Sequence, residues 1–210
     1  MIRSLPLVRR TLLLSVCGLF LFSGRLFAGN PLLMPSEAPY GAPRFDRIHA
    51  ADIMPAIEEG IRAYKAGIAK IRALDPAEAT FENVVVPLDR ADSLLDVPRA
   101  VLGYLKSNFG GDSVIRISLE SAQLTGEAYD AVTLDTAIFR LVKAVYDRRD
   151  AAGLDSLQLR TLGKVYRSYI RGGALCTPGQ KVRLKELNRE ISLKRIRPVS
   201  YTHLRAHETR

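Results

Sequence analysis

Cysteine and histidine are both scarce in this 210-residue chain, and each shortage removes a class of chemistry. The cysteines are Cys17 and Cys176. Cys17 falls in a leader-like amino terminus, so Cys176 stands alone in the body and an intramolecular disulfide framework is excluded. A lone cysteine just ahead of a helix start reads as a small apolar filler rather than as a reactive thiol. The histidines are His49, His203 and His207. His49 has no ligand-type neighbour and reads as a surface or capping residue. His203 and His207 stand four apart, as two zinc ligands on one helix would, and Glu208 follows. The residue after the first histidine is Leu204, however, where a glutamate would be needed as general base on a metal-bound water, and a third ligand is missing.

Acidic residues are absent from residues 1–28, which carry Arg3, Arg9, Arg10 and Arg25 for a charge of +4. Residues 194–210 contribute another +4, from Lys194, Arg195, Arg197, Arg205 and Arg210 against Glu208. Of the overall +9, only +1 remains for residues 29–193. The body is electrostatically ordinary, and the sequence pI near 9.8 is no argument for nucleic acid. A cationic nucleic-acid or membrane binder would need affinity that survives removal of both ends.

The amino terminus reads as an export signal over residues 1–28. Arginines precede an apolar run from Thr11 to Phe22, which is short for a membrane span and is followed by small and polar residues. Cleavage after Ala28 is expected, with an uncleaved anchor as the alternative. Val16 is the wrong size beside Cys17 for a lipoprotein box.

Prolines 31, 35, 39 and 43 forbid regular helix over residues 29–48 and predict an extended strap pinned at its end by Phe45 and Ile48. Met54, Ile57, Ile61, Tyr64, Ile68 and Ile71 then form one seam at spacings of three and four, capped by Asp52 with Pro55 in the first turn. Such a seam suits packing inside one domain, or a coiled-coil dimer. Thr80 starts the next helical run, and prolines 87 and 98 predict a bent helical pair, although Val84-Val85-Val86 alone could be a strand. The carboxylates of Asp89, Asp92 and Asp96 stand at helical spacings and would share a face. Arg90 and Arg99 beside them favour a solvated surface over acid–base or metal chemistry.

Gly110-Gly111 lacks the glycine spacing and the following lysine of a phosphate loop, and Asp112 is expected to cap a helix through Ile115, Leu119, Ala122 and Tyr129 that breaks near Gly126. Asp135 starts another, with Ile138, Leu141, Val142, Val145 and Tyr146 buried. Asp155 and Gln158 form a capping box for a helix through Leu159, Leu162, Tyr166, Tyr169 and Ile170, and Gly172-Gly173 ends it. Thr177, Pro178 and Gln180 start the last helix, whose stripe is Leu184, Leu187 and Ile191. No later element is available to cover part of that stripe. The fold class is all-α, with six or seven antiparallel helices joined by short loops.

The run YIRGGA (Tyr169 to Ala174) followed by KVRLKELNREIS (Lys181 to Ser192) resembles the zinc-dependent oligopeptidases of the M3 (thimet oligopeptidase) family, specifically the bacterial peptidyl-dipeptidase Dcp branch. Asn30 to Leu33, Ala42 to Ile48, Met54 to Ile61, Ala79 to Asp96 and Arg140 to Asp155 agree with it in order, from about Asn30 to Leu193. The resemblance implies a longer parent protein, of which residues 49–193 would be a helical N-terminal portion. That parent would be an exported, periplasmic zinc enzyme releasing dipeptides from the C-termini of short peptides. Its zinc helix, His-Glu-x-x-His, maps to no position here. No catalytic, cofactor-binding or metal-binding residue is therefore assigned in this chain, and zinc is expected in the parent family but not in this portion. The portion would wall the substrate channel. The resemblance ends near Leu193, and residues 194–210 read as a non-homologous, artefactual tail or as a disordered basic one. A stand-alone helical interaction module in the periplasm is the competing expectation.

Overall fold

The computed structural model describes residues 29–208, and the side chains of residues 29–192 and 194. The expected export signal lies outside the described residues. Six helices longer than ten residues carry the fold: α1 (Ala50–Arg72), α2 (Asp96–Asn108), α3 (Asp112–Thr133), α4 (Thr136–Asp147), α5 (Ser156–Arg171) and α6 (Pro178–Glu208). The described residues contain no strand, and the fold is all-α.

Helix α1 is the hub. It touches α2, α3 and α4, and its buried residues Ile57, Ile61, Tyr64, Ile68 and Ile71 are the expected seam. The seam begins at Ile53, with Met54 only half-buried. It is consumed by contacts inside the chain rather than by a coiled-coil partner. The start of α1 differs from expectation. His49 is the N-cap, and Asp52 sits one turn inside, where its carboxylate accepts the His49 backbone N–H at 2.7 Å. Pro55 consequently lies beyond the first turn. Gly60 lets α1 approach the next segment closely, since a Cβ there would meet the Leu95 side chain at 2.5 Å.

The proline-containing stretch bends as expected and is not a strand. Thr80 and Asn83 cap each other reciprocally, and Phe81–Val85 forms a π-helical turn in which the Val86 N–H reaches the Phe81 carbonyl. A short helix, Val86–Arg90, follows, then a 3₁₀ turn at Ser93–Leu95, and α2 restarts at Asp96 with Pro98 in its first turn, where no N–H is needed.

Helix α3 departs from the sequence reading in three ways. Asp112 is its first helical residue rather than its cap, the cap being Gly111 at φ 148°. Gly126 does not interrupt it. A mid-helix glycine costs about 1 kcal/mol relative to alanine, too little to break 22 residues packed on α1, α2 and α6. Its buried positions are Ser118, Ser121, Ala128 and Val132, a face of small residues that permits close approach to α1, while Ile115, Leu119 and Ala122 are only half-buried.

Both ends of α5 follow the sequence. Asp155 and Gln158 exchange backbone N–H bonds at 2.8 and 3.0 Å. At the other end Ala174 N–H bonds Tyr169 O and Gly173 N–H bonds Ile170 O, a Schellman pair with Gly173 at φ 93°. The residues 29–48 are more turned than extended, with a 3₁₀ turn at Pro39–Gly41. They are pinned at the expected end by Ile48, which packs against the core, and also at their start, where Leu32 is buried and the Asn30 side chain donates to the Asp52 carbonyl at 2.8 Å. Phe45 stays exposed, resting on Tyr104, while Ile48 is half-buried. The backbone of α6 continues to Glu208.

Candidate functional site

A concavity of about 590 Å³ lies between α3 and α6. Its floor exists because α3 presents Ala122 and Gly126, one turn apart, and the short side chains leave room above them. Lys181 fixes the neighbouring end of α6. Its ammonium donates to the Leu134 carbonyl, just past the C-terminus of α3, at 2.8 Å and to Thr136 Oγ1 at 2.9 Å. Asn188 Nδ2 donates to Asp130 Oδ1 at 2.9 Å across the cleft. Burial pushes the Asp130 carboxyl above its ordinary range, and the Asn188 hydrogen bond and the nearby Lys185 charge offset part of that.

Chemically the cleft holds mixed charge from Glu127, Asp130, Lys185, Glu186 and Arg189, and it can accept a polar ligand. Among its lining residues none is a histidine or cysteine, and no nucleophile is paired with a base. The expected stripe on α6 is partly used here: Leu184 is half-buried and packs towards Gly173, whereas Leu187 and Ile191 remain 38% and 47% exposed.

The residues weighed from the sequence do not converge on this cleft. His49 is exposed at the start of α1, and Cys176 is a half-buried free thiol. Asp89, Asp92 and Asp96 do not share a helical face, because the short helix ends at Arg90 and the chain turns before α2. Asp89 and Asp96 are exposed. Asp92 instead accepts the Tyr129 hydroxyl at 2.7 Å, and Arg99 Nη1 donates to the same hydroxyl at 2.9 Å. Tyr129 packs edge-on against Tyr64, and burial raises both phenols. This network joins the bend to α3, a structural use of a carboxylate that helical spacing could not show. Arg148 was equally silent in the sequence. Its guanidinium donates to the carbonyls of Pro76, Ala77 and Ala79 at 3.0, 2.7 and 2.6 Å, holding the loop after α1.

Zinc fits none of this. Among the described residues no group of three His, Cys, Asp or Glu side chains lies close enough to hold an ion. His203 and His207 lie on the α6 backbone, with side chains outside the described ones. No described helix is long and apolar enough to cross a membrane.

No family model matches the chain. Two curated relatives do. The chain is 32% identical over 163 residues to a dipeptidyl carboxypeptidase of Escherichia coli, and 34% identical over 165 residues to a dipeptidyl carboxypeptidase of Salmonella typhimurium. The chain is homologous to the dipeptidyl carboxypeptidases of the M3 family. The matches take in 78% and 77% of the chain, so most of the helical body belongs to this homology. They take in only 24% of each dipeptidyl carboxypeptidase, so the chain spans about a quarter of the length of these relatives.

Proposed function

We propose that the chain is a non-catalytic, helical portion of an exported zinc peptidase that removes C-terminal dipeptides from oligopeptides. In this reading it contributes a wall of the substrate channel, and the zinc ligands belong to the three-quarters of the relatives' length that it does not span. The observation that carries the reading is the homology itself, a match over most of this chain but only a quarter of each dipeptidyl carboxypeptidase. In enzymes of this type zinc supplies a polarised water and a polarised scissile carbonyl. This chain's residues would supply shape: α1 holds the other helices in register, and the α3–α6 cleft and the neighbouring helix faces border the peptide path.

A chimera tests the reading. Residues 29–193 replace the matching stretch of the Escherichia coli dipeptidyl carboxypeptidase, and release of C-terminal dipeptides is followed by mass spectrometry. Retained, chelator-sensitive activity is expected from the chimera, with none from the 210-residue chain alone. A chimera that folds and binds zinc but releases no dipeptide would count against the channel-wall role. Zinc near one per chain with peptide cleavage by the chain itself would overturn the non-catalytic reading.

One observation favours a second reading, a free-standing periplasmic interaction module. The buried hydrophobic residues, Leu134 apart, form a single cluster that runs from Leu32 to Ala174, which is what independent folding requires. Under that reading the chimera would be inactive.

A further inference from the structure

Several surface cations of this protein have an acidic partner one turn away on the same helix. Glu59 pairs with Arg62 on α1, Lys143 with Asp147 on α4, and on α6 Arg183 pairs with Glu186 and Lys194 with Glu190. Helix α5 is built differently. It contains no aspartate or glutamate, and Arg160, Lys164, Arg167 and Arg171 recur along it at intervals of four, three and four. At 3.6 residues per turn these side chains fall within about 60° of one another, on the side opposite the buried Leu162 and Tyr169. All four are exposed, and none has a hydrogen bond or ion pair with a described residue.

Helix stability does not account for such a stripe. Like charges three and four residues apart repel by a few tenths of a kcal/mol each. The helix dipole favours Arg167 and Arg171 near its negative end, but not Arg160 in the first half. A row of anions laid along the stripe would remove the repulsion at all four positions.

We propose that this face of α5 is a docking surface for an acidic peptide segment whose carboxylates lie along the four cations. From Arg160 to Arg171 the stripe is about 16 Å long at 1.5 Å per residue, and an extended peptide of about five residues covers that length at 3.3 Å each. Three of the four cations are arginines, which bind carboxylates through two parallel N–H bonds. Single strands of nucleic acid are held by bases stacked on aromatic rings, and the stripe contains none. An interfacial helix needs an apolar face turned outward. Here charge holds the centre, while the exposed apolar residues are split between Leu157 on one flank and Leu159 and Ile170 on the other. This inference concerns binding alone and does not depend on the peptidase reading.

Fluorescein-labelled pentaglutamate is titrated against the intact 210-residue chain by anisotropy at low and at physiological ionic strength. Saturable binding that weakens with salt is expected. Replacing all four cations by glutamine is expected to weaken it about tenfold, and the double variants Arg160→Gln/Lys164→Gln and Arg167→Gln/Arg171→Gln are expected to give intermediate losses. Far-UV circular dichroism checks that the helices persist. A control quadruple variant removes the same charge from cations that are already paired, Arg44, Lys143, Arg183 and Lys194. It should change binding less than twofold. An equal loss in the control would overturn the proposal in favour of net charge. Absence of binding at low salt would overturn it, as would tighter stripe-dependent binding of oligothymidylate or of phosphatidylglycerol vesicles than of the peptide.

Discussion

Ser118 and Asp130 are two polar residues of the same helix with opposite prospects. The Ser118 hydroxyl is buried against the core without a hydrogen-bond partner among the described residues. A polar group left in that state costs about 1 kcal/mol or more. Ser118→Ala is therefore expected to stabilise the chain by about 1 kcal/mol, read as a higher midpoint in urea at unchanged slope. Asp130 faces Asn188 across the α3–α6 cleft and its carboxyl is raised, first by burial. A carboxyl whose folded pKa lies above its unfolded one binds more protons in the folded state, so stability falls as pH rises through that window. Asp130→Asn removes this dependence. Relative to the variant, the wild-type chain should gain melting temperature as pH drops from neutral to below the ordinary carboxylate range. A difference that stays flat with pH would show that Asp130 is not perturbed. Asp46 behaves in the opposite sense: the Arg44 hydrogen bond lowers it to about 2, and that contribution is lost only as pH falls towards that value.

The two glycines that matter at the scale of elements are Gly126 and Gly173, and they call for opposite outcomes on substitution by alanine. Gly126 is helical, and a Cβ there would meet nothing within 4 Å. Alanine should raise stability by about 0.5–1 kcal/mol through helix propensity alone. Gly173 holds a positive φ at the end of α5, and a Cβ would stand 2.5 Å from the Leu184 side chain of α6. Alanine should cost more than 1 kcal/mol, because left-handed backbone strain and the clash add. Thermal melts of the pair decide it, and a common sign would refute the contrast. These elements also show where sequence patterns suffice. The capping boxes at Asp155 and Thr177, the Schellman end at Gly173 and the Asp135 cap are local, set by residues within four or five positions of each other. The buried face of α3 is not local. Ser118, Ser121 and Ala128 face the core because α1 needs small residues to come close, while periodicity pointed to the larger Ile115 and Leu119.

For the whole molecule the decisive feature is one core joined through α1. Such a core should unfold in a single cooperative transition when the intact chain is heated, with calorimetric and van't Hoff enthalpies in agreement. Two separate transitions would mean that α5 and α6 fold apart from α1–α4. The surface carries a second message. Tyr104 lies between Phe45 at 4.9 Å and Phe109 at 6.1 Å, and all three rings are at least 45% exposed.

By itself the sequence determined the helical class, most helix starts and stops, the seam of α1 and the kinship with the M3 peptidases. Those features rest on hydrophobic period, capping chemistry and residue identity, which act over a few positions or are read directly from the chain. Tertiary structure alone decided which face of α3 is buried, that Gly126 does not break it, that Asp92 turns to Tyr129 and Arg99 rather than to its neighbouring aspartates, and that Arg148 holds the Pro76–Ala79 loop. Each depends on groups tens of residues apart in the chain, brought together when the helices pack, and no local pattern encodes that proximity.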